Sequence, residues 1–290
     1  MTRRYVLMSM MPPAEPAIRL HIGNYGLQAL PVMEALEFVR RTGYDGLELC
    51  VLAGWPSEPK SLDAGARRRI RESGFPVPTI LDGMSLAGTD DAHRASLARI
   101  VEVAALAHDI APGHPPILQT VLGGKPGEWE SAKERMADRL SAWGAAAAQA
   151  KVRLAVKAHA FQVVDTPEKL LWLLGRAASP ALSAIYDYGH FEARGLEIEP
   201  TMDQLLGRSS FITVKDSRTT GGKIEYLLPG DGKVDYGRYF AKVRQMGWRG
   251  WVLVEVTRQL QTAPGYDGRA AAVRAYGSMS VALKKAGLRG

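Results

Sequence analysis

The chain has 290 residues, of which 46% are hydrophobic and 23% are charged, and its formal net charge is +7. This composition is that of an ordinary globular protein with enough apolar material for a core, and it excludes extensive disorder. The positive charge favours anionic ligands but is too dispersed to indicate a nucleic-acid surface. The single cysteine, Cys50, excludes an internal disulfide scaffold, and no run of 18 apolar residues predicts a membrane span.

The first 16 residues, MTRRYVLMSMMPPAEP, combine paired arginines with a short apolar stretch that Pro12 and Pro13 interrupt. A secretory signal needs an apolar segment of roughly 7–15 residues, which is longer than this stretch. We therefore predict that residues 1–16 form a disordered or loosely docked leader on a cytoplasmic protein. Residues 17–290 are predicted to form one domain.

Short apolar runs alternate with longer amphipathic segments along the rest of the chain. The apolar runs predict strands at 18–23, 45–50, 76–81, 116–121, 152–157, 182–187, 210–215 and 250–256. The amphipathic segments predict helices at 31–42, 61–73, 90–109, 129–150, 167–176, 201–206, 235–247 and 268–286. Start signals support these helices, since Asp165 and Thr166 precede Pro167 and thus offer a cap followed by a first-turn proline.

Strands that alternate with helices favour parallel pairing through right-handed crossovers. Eight such units close into a barrel more naturally than they form an open sheet. An open sheet that binds a dinucleotide would carry a glycine-rich fingerprint after its first strand, and residues 23–26, GNYG, lack it. The predicted fold is therefore a single (β/α)8 TIM barrel.

Ionisable residues stand at the ends of four predicted strands: Lys157, Asp187, Lys215 and Glu255. A charge at the end of a buried strand is costly unless another group neutralises or uses it. The reactive groups of an α/β barrel lie at the carboxyl ends of its strands, and side chains alternate along each strand. We therefore predict that these residues point into one site at the barrel mouth.

Five motifs occur in a characteristic order, namely GYDGLEL (43–49), DYGH (187–190), VKD (214–216), LPGDGKVD (228–235) and LVE (253–255). In this order and spacing they resemble the xylose isomerase-like barrels, also described as the AP endonuclease family 2 type. That superfamily contains sugar phosphate isomerases and epimerases, inosose dehydratases, hydroxypyruvate isomerases and the endonuclease IV branch. The resemblance covers residues 17 to 286 and implies an isomerase, epimerase or lyase of carbohydrate metabolism.

The resemblance also implies a divalent metal held by Glu on strand five, Asp on strand six, His on strand seven and Glu on strand eight. Asp187 and Glu255 match this pattern, but Lys157 falls on the first Glu and Thr213 on the His. An ammonium group has no lone pair for a cation and repels it. We therefore predict no cofactor. The alternative is a rearranged site in which Asp187, Glu255 and His159 or His190 bind Mn, Co, Zn or Mg.

Lys157 has two interpretations. Its ammonium group either replaces the metal charge between Asp187 and Glu255, or acts in catalysis as a base or by polarising a substrate oxygen. The resemblance places His190 beside the substrate, and His190 is the preferred base over Glu255 because a carboxylate next to lysine is a weaker base. The predicted catalytic residues are Lys157, His190, Glu255 and Asp187.

Further residues are predicted to bind substrate: His159, Lys215, Asp216, Arg218, Thr213 and Glu48. Lys215 would stabilise an enediolate oxygen, Asp216 would fix the following loop, and Arg218 would clamp an anionic or hydroxylated substrate. Glu48 ends the second strand as an acid at the barrel mouth.

The leading hypothesis is an enzyme that carries out isomerisation, epimerisation, or elimination and hydration on a small polyhydroxylated carbonyl compound by acid/base chemistry. Three alternatives remain open: a metal-dependent isomerase or epimerase with rearranged ligands, a catalytically silent sugar-binding barrel, and a DNA-repair nuclease. A nuclease of this superfamily needs several metals and many histidines, whereas this chain has six scattered ones. The predicted partner is a small molecule, with a possible homodimer and neither nucleic acid nor membrane.

Overall fold

The computed structural model describes residues 16–221 and 223–289, so the predicted leader lies outside the described residues except for Pro16. The strands are β1 (Ile18–Gly23), β2 (Gly46–Cys50), β3 (Thr79–Leu81), β4 (Ile117–Val121), β5 (Leu154–Lys157), β6 (Leu182–Asp187), β7 (Ser209–Val214), β8 (Asp216–Thr220), β9 (Lys223–Leu227) and β10 (Gly250–Val254). The helices are α1 (Val32–Thr42), α2 (Ala64–Glu72), α3 (Asp90–Ile110), α4 (Trp129–Gln149), α5 (Pro167–Ala177), α6 (Tyr188–Glu192), α7 (Ile198–Leu205), α8 (Tyr236–Gln245), α9 (Arg258–Gln261) and α10 (Gly268–Lys285).

Eight parallel strands close into a barrel in the order β1-β10-β7-β6-β5-β4-β3-β2. This closure confirms the predicted (β/α)8 fold, in which β10 is the eighth barrel strand. The remaining strands, β8 and β9, form an antiparallel hairpin after β7. Among the described residues, no helix is long and apolar enough to cross a membrane.

Side-chain alternation separates the inside of the barrel from its outer face. Ala155, Ile185, Phe211 and Leu253 form a buried apolar cluster distinct from the main core, which includes their neighbours along the strands, such as Val156 and Val254. Residues two positions farther along the same strands therefore point inward at the next layer. These residues are Lys157, Asp187, Thr213 and Glu255. The predicted inward direction is confirmed for three of the charged strand ends, Lys157, Asp187 and Glu255.

The boundaries of the elements differ from the predictions where backbone chemistry intervenes. β3 begins at Thr79 rather than at residue 76, since Pro76 and Pro78 have no N–H to donate to a strand ladder.

The loop predicted after strand seven contains the β8–β9 hairpin. The N–H of Tyr226 in this hairpin donates to Gln259 Oε1 at 2.6 Å, and this bond ties the hairpin to the segment after β10. The hairpin thus lies over the barrel mouth.

Candidate active site

Two lysines and two carboxylates form a closed ring of ion pairs at the end of the barrel. Lys157 Nζ lies 3.0 Å from Asp187 Oδ2 and 2.7 Å from Glu255 Oε2. Lys215 Nζ lies 2.6 Å from the same Asp187 oxygen and 3.2 Å from the same Glu255 oxygen. Each lysine therefore bridges both acids. The structure brings together the four charged strand ends as the sequence predicted.

The two lysines differ in how many of their hydrogens are engaged. An ammonium group carries three N–H bonds. Lys215 has three acceptors, because its Nζ also lies 3.2 Å from His190 Nε2, and it is 1% exposed. Within residues 16–221 and 223–289, the acceptors for Lys157 are the two carboxylates alone. One N–H of Lys157 therefore remains available to a bound molecule, whereas Lys215 is fully engaged in holding the ring together.

Mutual attraction decides the charge states in this ring. Burial alone would raise the pKa of Asp187 and of Glu255, but the two lysines outweigh it and lower both pKa values to about 2. Burial alone would lower the pKa of Lys157, but Glu255 and Asp187 outweigh it and raise this pKa above its ordinary value. Lys157 thus stays protonated at neutral pH. This finding opposes the sequence-based idea of Lys157 as a base and favours a role as a hydrogen-bond donor.

His190 and His159 stack beside the ring, with centroids 3.8 Å apart. Burial and Lys215 hold the pKa of His190 well below its ordinary value, and burial and Lys157 lower the pKa of His159 to about 4. Both imidazoles are therefore neutral at pH 7. Since His190 Nε2 faces the ammonium of Lys215, its Nδ1 carries the proton and donates to Tyr226 Oη at 2.8 Å. A general base needs a free lone pair, and the lone pair of His190 Nε2 already accepts from Lys215.

Glu48 has a different environment from the other acids. Its Oε2 accepts hydrogen bonds from Thr79 Oγ1 at 2.7 Å and from the amide of Gln119. Glu48 is 2% exposed, and burial raises the pKa of its carboxyl to about 7 despite these two donors. With neutral donors as its partners and a pKa of about 7, the carboxyl of Glu48 can be either protonated or ionised near neutral pH.

A cavity of about 490 Å³ opens above these groups. Five predicted site residues line it together: Glu48, Lys157, His159, His190 and Glu255. Its walls also include aromatic side chains from separate loops, namely Tyr25, Phe161 and Tyr226. The size and mixed lining suit a small polar ligand. Asp187 and Lys215 stand behind this lining and hold it in place.

Three other predicted residues do not line the cavity. Thr213 is fully buried beside Asp187 in the sheet. Asp216 accepts backbone N–H bonds from Gly230 at 2.7 Å and Gly232 at 3.0 Å, so it anchors the loop after the hairpin as expected. Arg218 is exposed on the hairpin and pairs with Glu225 at 2.6 Å. Their roles in substrate binding remain predictions.

Sequence reasoning missed several residues of the site. Tyr226 and Gln119 lie within segments that carry no catalytic motif, and no pattern predicted that a hairpin would bring Tyr226 against His190. Gln119 occupies the inward alternation on β4, two residues after Ile117, and that alternation is the only signal that could have identified it. Gly23 also lines the cavity, as the last residue of β1.

The donor set of the site does not fit the divalent metal that the sequence resemblance implies. The oxygens of Asp187 and Glu255 that would face a cation accept instead from the ammonium groups of Lys157 and Lys215. Lysine ammonium groups offer no lone pair. Within residues 16–221 and 223–289, no three His, Cys, Asp or Glu side chains group in a way that could hold a metal ion.

Comparison with known proteins finds similarity to two enzymes of known activity and to one solved barrel structure. An inosose dehydratase of Geobacillus kaustophilus is 25% identical over 170 residues, which are 53% of this chain and about half, 54%, of that enzyme. An L-ribulose-5-phosphate 3-epimerase of Escherichia coli is 24% identical over 83% of this chain and 88% of its own length. The solved structure of the IOLI protein with a bound zinc atom superposes on this chain with a TM-score of 0.75. It shares 16% identity over 94% of this chain and 99% of that one, which shows the shared fold.

These comparisons confirm the predicted class, an enzyme of the isomerase, epimerase and lyase group. The sequence profile of the family described as "Xylose isomerase-like TIM barrel" matches residues 36–276, most of the described barrel. The closed barrel, the motif order and this match agree. The chain belongs to the xylose isomerase-like TIM barrel family.

Proposed function

We propose that this protein isomerises, epimerises or dehydrates a small polyhydroxylated carbonyl compound, and that a pair of lysines does the electrostatic work of the family's metal. The two ammonium groups together carry two positive charges, the same as a divalent cation. The observation that carries the proposal is that Lys157 lines the cavity and has two acceptors among the described residues for its three N–H bonds, which leaves one N–H for a ligand.

The free N–H of Lys157 would donate to the substrate's carbonyl oxygen. When a neighbouring carbon loses its proton, negative charge develops on that oxygen as an enediolate forms. A fixed donor in a site that excludes water stabilises such a charge more than it stabilises the neutral carbonyl. Lys215 positions this donor by holding Asp187 and Glu255, which in turn hold Lys157.

The neutral imidazoles suit a binding role. His159 Nδ1 accepts the N–H of Phe161 at 3.2 Å, so the proton of this neutral ring lies on Nε2, where it can donate to a substrate hydroxyl. His190 donates to Tyr226, which leaves the tyrosine O–H free to donate to a second hydroxyl. These donors support a ligand rich in hydroxyl groups.

The proposal is tested by assaying purified protein, dialysed against chelator, on inosose, L-ribulose 5-phosphate and a set of ketohexoses. We expect turnover of at least one compound without added metal. Lys157→Met should reduce kcat by about 10²–10³-fold, as expected for loss of an oxyanion donor. Lys242→Met is the matched control, because Lys242 pairs with Asp203 on the outside of the barrel.

Three results would contradict the proposal. Absence of turnover on the whole panel would favour a silent sugar-binding barrel. Activity that disappears with chelator and returns with Mn²⁺ or Zn²⁺ would favour the metal-dependent alternative. Full activity in the Lys157→Met variant would remove the lysine from the reaction while leaving the enzyme class intact.

A further inference from the structure

The two acids paired with lysine are poor candidates for moving a proton, and the reaction needs another group for that step. A carboxylate whose pKa is about 2 holds a proton weakly at neutral pH. His190 has no free lone pair, because Lys215 and Tyr226 occupy both ring nitrogens. Another ionisable group must face the cavity from a different direction.

Glu48 faces the cavity from the opposite side of the barrel. Its strand, β2, is four positions from β6 in the closed order of strands, so Glu48 stands across the barrel from Asp187. Both of its hydrogen bonds go to Oε2. Its other oxygen, Oε1, accepts no hydrogen bond from the described residues. One oxygen thus anchors the carboxyl while the other is left for a ligand.

Gly23 leaves the space in which Oε1 lies. Gly23 pairs with Glu48 in the parallel ladder, and an added Cβ at Gly23 would lie 3.0 Å from Glu48 Oε1. On its other side, Gly23 follows Ile22, which pairs with Val254, so Gly23 also separates Glu48 from Glu255. The φ of Gly23 is −80°, a value that any residue adopts. The backbone conformation therefore does not require glycine here, but the close approach of Glu48 Oε1 does.

We propose that Glu48 is the residue that takes the proton from the carbon next to the substrate's carbonyl. This inference rests on the proposed function. The C–H bond breaks, its electron pair forms the C=C bond of the enediolate, and the carbonyl electron pair moves onto the oxygen that Lys157 holds. Glu48 keeps the proton. In an isomerisation, the proton of the adjacent hydroxyl passes to the enediolate oxygen, that hydroxyl's oxygen becomes the new carbonyl, and Glu48 returns its proton to the former carbonyl carbon. In an elimination, the carbonyl re-forms, a double bond forms to the carbon that loses its hydroxyl, and the departing hydroxide takes the proton from Glu48 and leaves as water.

The surroundings of Glu48 allow it to gain and lose a proton near neutral pH. The charged groups that act on it are Glu255, which raises its pKa, and Lys157, which lowers it. His21 contacts Thr79 at 3.1 Å behind it and is neutral, since burial lowers its pKa to about 3. The thiol of Cys50 on the same strand is also neutral, because burial raises its pKa. Burial is the largest of the effects on Glu48 itself.

The test follows exchange of the carbon-bound hydrogen of each panel compound in D₂O by NMR, together with turnover. Glu48→Gln preserves an oxygen acceptor for Thr79 and Gln119, and we expect it to lose at least about 10²-fold in kcat and in exchange, with KM changed less than about threefold. Glu192→Gln is the matched control: Glu192 is a half-buried acid that, like Glu48, has a raised pKa; it accepts a hydrogen bond from Ser217 at 2.7 Å but does not line the cavity.

Gly23→Ala provides a second variant that leaves the carboxyl in place but crowds Oε1, and we expect kcat to fall about tenfold with an unchanged unfolding midpoint. If wild-type protein exchanges hydrogen and Glu48→Gln exchanges it equally fast, this inference is wrong while the proposed function stands. If wild-type protein neither exchanges hydrogen nor turns over any compound, both are wrong.

Discussion

The two sides of the cavity treat carboxyl groups in opposite ways. On the side formed by β5, β6, β7 and β10, two ammonium groups hold Asp187 and Glu255 ionised, with pKa values of about 2. On the side formed by β2, the hydrogen-bond partners of Glu48 among the described residues are a hydroxyl and an amide, and burial raises its pKa to about 7. Burial is the largest effect on all three acids, so the presence or absence of lysine decides the outcome. One side is suited to hold charge and the other to exchange protons.

The largest expected change comes from giving the paired side the metal-binding pattern that the sequence resemblance implies. Lys157→Glu combined with Thr213→His would place a carboxylate and an imidazole beside Asp187 and Glu255, which completes four ligands and removes an ammonium group. We expect about one Mn²⁺ or Zn²⁺ per chain with a Kd near 1 μM, about 8 kcal/mol of binding free energy, measured by calorimetry and elemental analysis. Thr213→His alone should bind none, and equal binding by this single variant would refute the account of Lys157.

The next effect concerns the lysine that is fully engaged. Lys215→Met removes three hydrogen bonds and leaves Asp187 and Glu255 with one ammonium group instead of two. Removing one partner from a buried charge network costs roughly 3–5 kcal/mol, so we expect a loss of that size in urea unfolding at pH 7. The Lys242→Met control should change stability by less than about 1 kcal/mol. A loss equally small for Lys215→Met would show that the ring contributes little to stability.

Ionisation of Glu48 should make the folded protein less stable as the pH rises. Its pKa is about 7 in the folded protein against an ordinary value of 4.5, so the folded state binds the proton more tightly and stability falls as pH rises between these values. Glu48→Gln removes this loss. Relative to wild type, the variant should gain up to about 3 kcal/mol above pH 7 and nothing of this kind below pH 4, measured by urea unfolding across pH. A constant difference at all pH values would contradict the raised pKa.

Activity should depend on pH through the same carboxyl. As a base, Glu48 must be deprotonated. We therefore expect kcat/KM to rise about tenfold per pH unit below pH 7 and to level off above it. The paired acids cannot produce this limb, because their pKa values are about 2. The rate profile is measured between pH 5 and 9. A flat profile through pH 7 would assign the proton transfer to another group.

The smallest effect is expected at Arg218, which belongs to neither side of the cavity. Its pair with Glu225 is exposed on the hairpin, and such pairs contribute about 0–1 kcal/mol. Arg218→Ala should therefore change kcat/KM by less than about twofold and barely alter the unfolding midpoint. A tenfold rise in KM would instead support the clamp that the sequence predicted and would require the hairpin to close over the substrate.

Much of the paired side was predictable because its signals are local. Alternation along a strand fixes direction, and parallel strands bring their carboxyl ends to one edge, so Lys157, Asp187 and Glu255 were expected to meet. The hairpin was missed because its strands are short and polar, with burial confined largely to Asp216, Ser217 and Tyr226. The position of Tyr226 against His190 depends on how that hairpin folds back, which no spacing in the sequence encodes.

The sequence by itself determined the barrel and the edge at which the site lies, and its resemblance to the family predicts that Lys157 and Thr213 stand at two metal-binding positions. Only the tertiary structure decided what each charge does. The pKa of Lys157 is raised because the attraction of Glu255 and Asp187 outweighs the effect of burial. Whether Lys157 keeps an unused N–H depends on which acceptors the fold brings within reach of its Nζ. The same holds for Glu48, whose proton affinity depends on depth and on neighbours from β3 and β4. Electrostatic effects depend on distance through space and on exclusion of water, and neither is written in the order of residues.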